Sequence, residues 1–477
     1  MTADETMRGR IRSGPALPGQ RAPGVPGPPG PAPGAGPARG VGSAPGAGTA
    51  PGADGAAAPG GPAGRAVPGG FRVSARTLRA LASTEPSPEG TALVRDVRWS
   101  KRLVLLRAVL DAAPGGEAGA HWELLEAAER QDPGAVRDVL LYPSTGVWAE
   151  EALRRLHAPA GPPADLAHLG SLAAAAALRA RIPFELTLRP VQGRIALPTL
   201  GLLRPHRLGP VPLSEDTWDP DHPAVLPLHT LPGGRTALDD LDPYRAAPGR
   251  PGPVRPARRL TPKGHKRWDT QWTGALTLLE RYDTARAREI AALLRSVVPL
   301  AGGTRSAGAT LPAAAGSVLA RGQAPPALAA TLVHETQHGK LGALTDVLPL
   351  HTADATARHW APWRTDPRPL EGLLHGAYAH LALACYWQRA ALYGARAAWA
   401  CHARCRAQVA AVLPVLRRET QLTRAGVEFV AGMAEAERAM DELPPPADQH
   451  ATARRALEQE RRAWCAAHPE LAASARG

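Results

Sequence analysis

The sequence predicts an α+β chain that is predominantly helical, with short antiparallel strands and a disordered N-terminal tail. Three observations carry this. Most segments beyond residue 70 repeat apolar residues at helical spacing, and one stretch alternates around a Val-Gln-Gly turn. Residues 1–70 consist almost entirely of Pro, Gly, Ala and Arg.

The tail, with runs such as "GVPGPPGPAPGAGPARG", has no side chains to offset its backbone entropy, so disorder is expected. The strict Gly-X-Y period of collagen is absent. Folding is expected to begin near Phe71. "VSARTLRALAS" and "ALVRDVRWSKRLVLLRAVLDAA" have helical spacing, and the helical pattern then continues with breaks at Pro133 and Pro143. "ADLAHLGSLAAAAALRARI" is a small-residue helix suited to lie close against a neighbour. "PFELTLRPVQGRIALPTLG" reads as two antiparallel strands, Phe184 to Leu188 and Arg194 to Leu197.

A Pro-rich connection, 246–265, is the best internal boundary. It separates a helical and hairpin region (71–245) from a second helical region (266–445), and a charged helical tail (446–477) ends the chain. In the second region one helix carries His334, and another long helix is expected from Pro369 to Leu413. That helix is open to interruption near Gly394, with Pro414 as its stop.

Formal charge is +13, carried almost wholly by Arg, with Lys only at 101, 263, 266 and 340. The sign suits an acidic partner. No basic block is interleaved with aromatics and no zinc-finger spacing occurs, which argues against nucleic acid. Cys385, Cys401, Cys405 and Cys465 lack the paired short spacings of a zinc ribbon and read as ordinary helical cysteines. Neither a signal peptide nor an 18-residue apolar span is present, so a cytoplasmic protein with reduced thiols is expected, without a membrane partner.

The chemistry concentrates in "LVHETQHGKLGAL", residues 332–344. Residues four apart share a helix face, so His334 and His338 can place two imidazoles on one divalent ion, with Glu335 beside them. Apolar flanks put the pair on a buried helix. The expected architecture is therefore a zincin-like HExxH helix packed on the second long helix. Leu341 and Leu344 exclude the extended metzincin motif. A gluzincin-type third ligand would have to be Glu371, but His375 stands where its usual acidic companion belongs. Downstream, "HWAPWRTDPRPLEGLLHGAYAHLALACYW" offers His375 and His380 on one helix, preceded by Arg364 and Arg368. A third His would complete an all-nitrogen facial set suited to Fe(II) as well as Zn. The arginines are forks for carboxylates, or partners for Asp366 or Glu371.

Taken together, "LVHETQHGKLGALTDVLPLH", "APWRTDPRPLEGLLHGAYAHLALACYW" and "LGSLAAAAALRARIPFELTLRPVQGRIALPTLG" resemble the HExxH-motif peptide-modification family over roughly Phe71 to Leu413. The resemblance implies an Fe(II)- and 2-oxoglutarate-dependent, O2-consuming β-hydroxylase of a ribosomally made precursor peptide carrying a leader segment. It implies iron on His334, His338 and one of His375 or His380, and 2-oxoglutarate on Arg364 or Arg368, with Zn as a substitute metal. His375 is preferred as third ligand because the helix sets it beside Glu371 and Tyr378, a polar strip. The helical and hairpin region 71–245 is the candidate for holding the leader, with a purely structural role as the alternative. Thr336 departs from the family pattern, where an aromatic or Leu is expected. Two other readings compete. In a zinc peptidase Glu335 is the general base and Glu371 the third ligand; in a peptide-binding scaffold the site is degenerate.

Overall fold

The computed structural model describes residues 70–474 apart from 114, 159, 162, 207–208, 247–254 and 303–307. The expected disorder of the first 69 residues lies outside the described residues. The chain begins with α1 (Ala75–Ala82), α2 (Pro88–Ala112), α3 (Glu117–Gln131), α4 (Pro133–Leu140), α5 (Pro143–Leu156) and α6 (Ala167–Ala180). Pro133 and Pro143 break the helical pattern by starting new helices: each is a first helical residue, where a missing N–H costs nothing. Asp132 caps the first of these starts by accepting from the backbone N–H groups of Gly134 and Ala135. In α6 Ala173 to Ala177 are fully buried. His121 of α3 lies over Gly170, where a Cβ would come within 2.9 Å of the imidazole.

Both expected strands form, as β1 (Glu185–Leu188) and β2 (Ile195–Leu197), but they do not pair with each other. Gln192 and Gly193 turn the chain with φ of 51° and 71°, and Val191 and Arg194 alone bridge across that turn. Pro190 has no N–H to extend a ladder. Beyond the turn β2 runs against β3 (Gly201–Leu203), whereas β1 runs against β4 (Val211–Ser214). β5 (Val225–Pro227) completes the three-stranded sheet on β3.

A five-stranded sheet supports the second region. It takes β6 (His229–Thr230) and β7 (Ala237–Leu238) from before the Pro-rich connection. From after it, beyond α7 (Pro262–Tyr282) and α8 (Thr284–Leu293), come β8 (Ser296–Pro299), β9 (Gly308–Ala309) and β10 (Ser317–Ala320). The order is β6-β7-β8-β10-β9. Its two edges are antiparallel, but the inner pairs β7–β8 and β8–β10 are parallel, unlike the all-antiparallel expectation. Every residue of β8 and β10 is buried, as parallel inner strands require.

α9 (Pro325–Val347) follows β10, and α10 (Leu370–Leu392) packs along it. The second long helix is interrupted near Gly394, as the sequence allowed, and so is two helices. Gly394, at φ 98°, reverses the chain into α11 (Ala398–Arg418), and Pro414 lies inside α11 instead of ending it. Val412, Leu413 and Leu416 are buried in the core shared with α10 and hold that last turn despite the lost hydrogen bond. α12 (Arg424–Ala439), α13 (Ala447–Ala467) and α14 (Pro469–Ser474) close the chain. All described residues fall in one compact unit, and none of its helices is long and apolar enough to cross a membrane.

Buried carboxylates tie the segment after β7 to the start of α5. Asp239 accepts from the hydroxyl of Tyr142 at 2.9 Å, and Asp242 from that of Ser144 at 2.7 Å. Burial, reinforced by the charge of Asp239, pushes Asp242 up to about 7. A carboxyl whose folded pKa is raised is most stabilising while protonated, so stability falls as pH rises from the unfolded value near 4 through 7. Asp242→Asn is expected to flatten that decline, leaving the share that Asp239 contributes. Urea denaturation of both proteins at pH 5 and pH 8 checks it; equal pH slopes would refute the assignment.

Candidate metal centre

α9 presents His334 and His338 one turn apart on the face turned to α10. Their Nε2 atoms are 3.1 Å apart. Two nitrogens bound at about 2.1 Å to one ion stand about 3.0 Å apart at a right angle and about 3.4 Å at the tetrahedral angle. The pair is therefore already at the separation of two ligands on one metal. The flanking Leu328, Ala329, Leu332, Val333 and Leu341 are buried, so packing fixes the helix that carries both rings.

α10 brings an imidazole to each of them. His375 stacks on His338 at 5.6 Å between ring centroids, with the two Nδ1 atoms 3.4 Å apart. His380 meets His334 edge to face at 5.2 Å. Its Nδ1 lies 2.8 Å from the carbonyl of Gly376, an acceptor, so that nitrogen carries the proton and Nε2 keeps its lone pair. His380 also stacks on Trp363 at 4.4 Å between ring centroids. Gly376 makes room for this indole, since a Cβ there would lie 2.3 Å from a ring carbon. All four imidazoles are brought together, yet no set of three or more His, Cys, Asp or Glu side chains among the described residues is arranged to hold a metal as it stands. The two α9 histidines are poised; a third donor has to turn towards them.

Burial lowers every one of these imidazoles. His338, His375 and His380 come down to about 4, and His334, flanked by His338 and His380, falls well below the ordinary range. All four are neutral at physiological pH, with lone pairs that need lose no proton to bind a cation.

Glu335 turns towards the edge strand of the five-stranded sheet. Its Oε2 accepts from Thr310 Oγ1 at 2.8 Å, and Oε1 lies beside Gly308. Burial raises its carboxyl to about 7, with the Thr310 hydrogen bond opposing. Glu371 is exposed in the first turn of α10 and acts on His375 only through its charge.

The arginine loop is closed by a two-way backbone bridge between His359 and Arg368. Arg364 pairs with Asp366 at 2.7 Å, half exposed, and Arg368 reaches the same carboxylate at 3.5 Å. Among the described residues, neither arginine hydrogen-bonds or pairs with any of the four histidines. The cation whose charge reaches His380 is Arg404 of α11, itself held by Glu460 at 2.6 Å.

Sequence reasoning singled out neither Trp363, Thr310 nor Arg404, nor His351, whose charge acts on His375. Trp363 carried a weak signal, an aromatic immediately before Arg364 of the arginine fork. Thr310 and Arg404 carried none, because their contacts come from distant chain segments. In comparison with known proteins, no family model matches the chain and no curated protein is significantly similar to it.

Proposed function

We propose that this chain is an Fe(II)- and 2-oxoglutarate-dependent oxygenase that hydroxylates a side-chain β-carbon in a ribosomally made precursor peptide. The observation that carries the reading is the all-imidazole cluster: His334 and His338 at ligand spacing, backed by His380 with its Nε2 left free. Among the described residues no carboxylate bonds to the four rings: Glu335 is engaged by Thr310, and Glu371 is exposed. When bound, iron and 2-oxoglutarate supply the oxidising chemistry with O2; the protein supplies position and a dry site.

His380 replaces His375 as the favoured third ligand on this reading. His375 meets His338 at Nδ1, the nitrogen away from the His334–His338 pair, and so orients that ring. Arg364 and Arg368 can hold the distal carboxylate of 2-oxoglutarate by giving up Asp366. A half-exposed ion pair is worth only about 0–1 kcal/mol, so a ligand carboxylate displaces it at little cost. Four free thiols are consistent with a reducing, cytoplasmic setting.

A zinc peptidase is the second reading, favoured by one observation: Glu335 lies against the edge strand β9, where an extended peptide could run beside it. One assay separates the two. Purified protein with a candidate precursor peptide is expected to form succinate only when Fe(II), 2-oxoglutarate and O2 are all present. Amide cleavage with Zn, and no succinate, would replace the oxygenase by the peptidase.

A further inference from the structure

A second group of charged side chains stands apart from the four histidines. α2 carries Arg95, Arg98 and Arg102 on one stripe, and they converge with Arg295, between α8 and β8, on a narrow cleft of about 20 Å³. Leu141, Leu293 and Gly316 line the rest of it. Arg102 is 5% exposed and makes no hydrogen bond to the described protein; its Nη1 is buried without a partner, and Glu150 acts on it through charge alone. Arg98 donates from Nη1 to the carbonyl of Leu293 at 2.9 Å, but its Nε is buried and unpartnered. Asp138 is the one carboxylate bonded within the group, at 2.8 Å from Arg295, and it also serves Arg179.

Glycines make space for these guanidinia. A Cβ at Gly146 would lie 2.5 Å from Arg102 Nη2, and one at Gly339 would lie 2.8 Å from Arg98 Nη2. A guanidinium cannot shed its charge, so burying it without an acid costs several kcal/mol unless something compensates. Planar forks with free N–H groups match a carboxylate or a phosphate. The cleft has room for about one water-sized group, so it would take an oxyanion's oxygen, with the rest of the headgroup at the mouth beside the exposed Arg95.

We infer that Arg95, Arg98, Arg102 and Arg295 form an oxyanion-binding site, taking the carboxylate or phosphate headgroup of a ligand. The site is independent of the metal reading, because it shares no residue with the histidine cluster. Arg98 nonetheless touches α9 at Gly339, next to His338, so an anion held here would brace the back of that helix.

The test uses the full chain and its Arg102→Met variant, titrated with sodium phosphate and with sodium acetate against sodium chloride at matched ionic strength. Thermal unfolding and calorimetry are the readouts. Wild type is expected to bind one equivalent, with a saturable rise in Tm. Arg102→Met is expected to bind about ten- to hundredfold more weakly. In chloride alone the variant should be about as stable as wild type, because the buried guanidinium that has gone had no bonded acid and only the charge of Glu150 to offset its burial; in saturating oxyanion the order should reverse. A response to phosphate alone identifies a phosphate site, and a response to both anions an oxyanion site that also takes carboxylates. Should Arg102→Met not fold, the exposed Arg95→Gln serves in its place and is expected to weaken binding severalfold. The absence of a saturable response beyond chloride, or identical responses from wild type and the folded variant, would overturn the assignment.

Discussion

His380→Ala is expected to lower Fe(II) affinity by more than about 100-fold and to abolish turnover, whereas His375→Ala should lower affinity by about 10- to 100-fold and leave residual activity. The difference follows from which nitrogen each ring offers. His380 gives its Nδ1 proton to Gly376 and keeps Nε2 as a donor beside His334. His375 faces the Nδ1 edge of His338 and fixes the direction in which that ring points its other nitrogen. Anaerobic metal titration against a competing chelator reads the affinities, and circular dichroism confirms that each variant is folded. The reverse order would make His375 the ligand. Near-wild-type affinity in both variants would remove the three-histidine model.

The second large effect lies two residues beyond His338. Lys340 points away from the cluster and pairs with Glu289 of α8 at 2.7 Å, with both side chains almost entirely buried. Burial lowers the Lys340 ammonium and Glu289 opposes that shift. Nearby, Arg286 pairs with Asp283 at 3.0 Å, and Arg389 joins Asp283 to Glu85. Lys340→Ala strands a buried carboxylate and is expected to cost about 3–5 kcal/mol. Replacing both partners, as Lys340→Met with Glu289→Leu, should restore most of that loss, since apolar groups of similar volume often substitute for a buried pair without penalty. Chemical denaturation of the two single variants and the double variant forms the cycle. A single-variant cost below about 1 kcal/mol would show that the pair is not a buried anchor of the metal helix.

Much of the helical framework was legible in the sequence, and the reason is local. Apolar spacing records which side of a helix faces the core, so the helix of His334 and the helix of His375 could both be read from it. Partnership is not recorded that way. β1 and β2 flank a tight turn, yet their ladders go to β4 and β3, chosen by chain that comes later. The third ligand was ambiguous for a similar reason. His375 and His380 are five residues apart, about 140° around a helix, and they address the α9 pair from its two ends. Deciding between them needs the position of α9. Glu335 was legible as a neighbour of the metal pair, and the Gly/Ala-rich segment before α9 was open to a short strand, but which residue of that strand would meet Glu335 depends on how β9 pairs with β10. Lys340, read only as one of four lysines, is buried because α8 supplies an acid from elsewhere in the fold.

The stack of Trp363 on His380 has a consequence for how a working site would assemble. Trp363 belongs to the loop that carries Arg364 and Arg368, and its indole rests on the backbone of Gly376 and the ring of His380. On the proposed reading His380 has to turn to reach the α9 pair, and the indole lying against it cannot stay behind. The loop and its guanidinia would be carried along by that rotation. On that reading Trp363 would couple the orientation of His380 to the position of Arg364 and Arg368, so the histidine cluster and the carboxylate-binding arm would not be set independently.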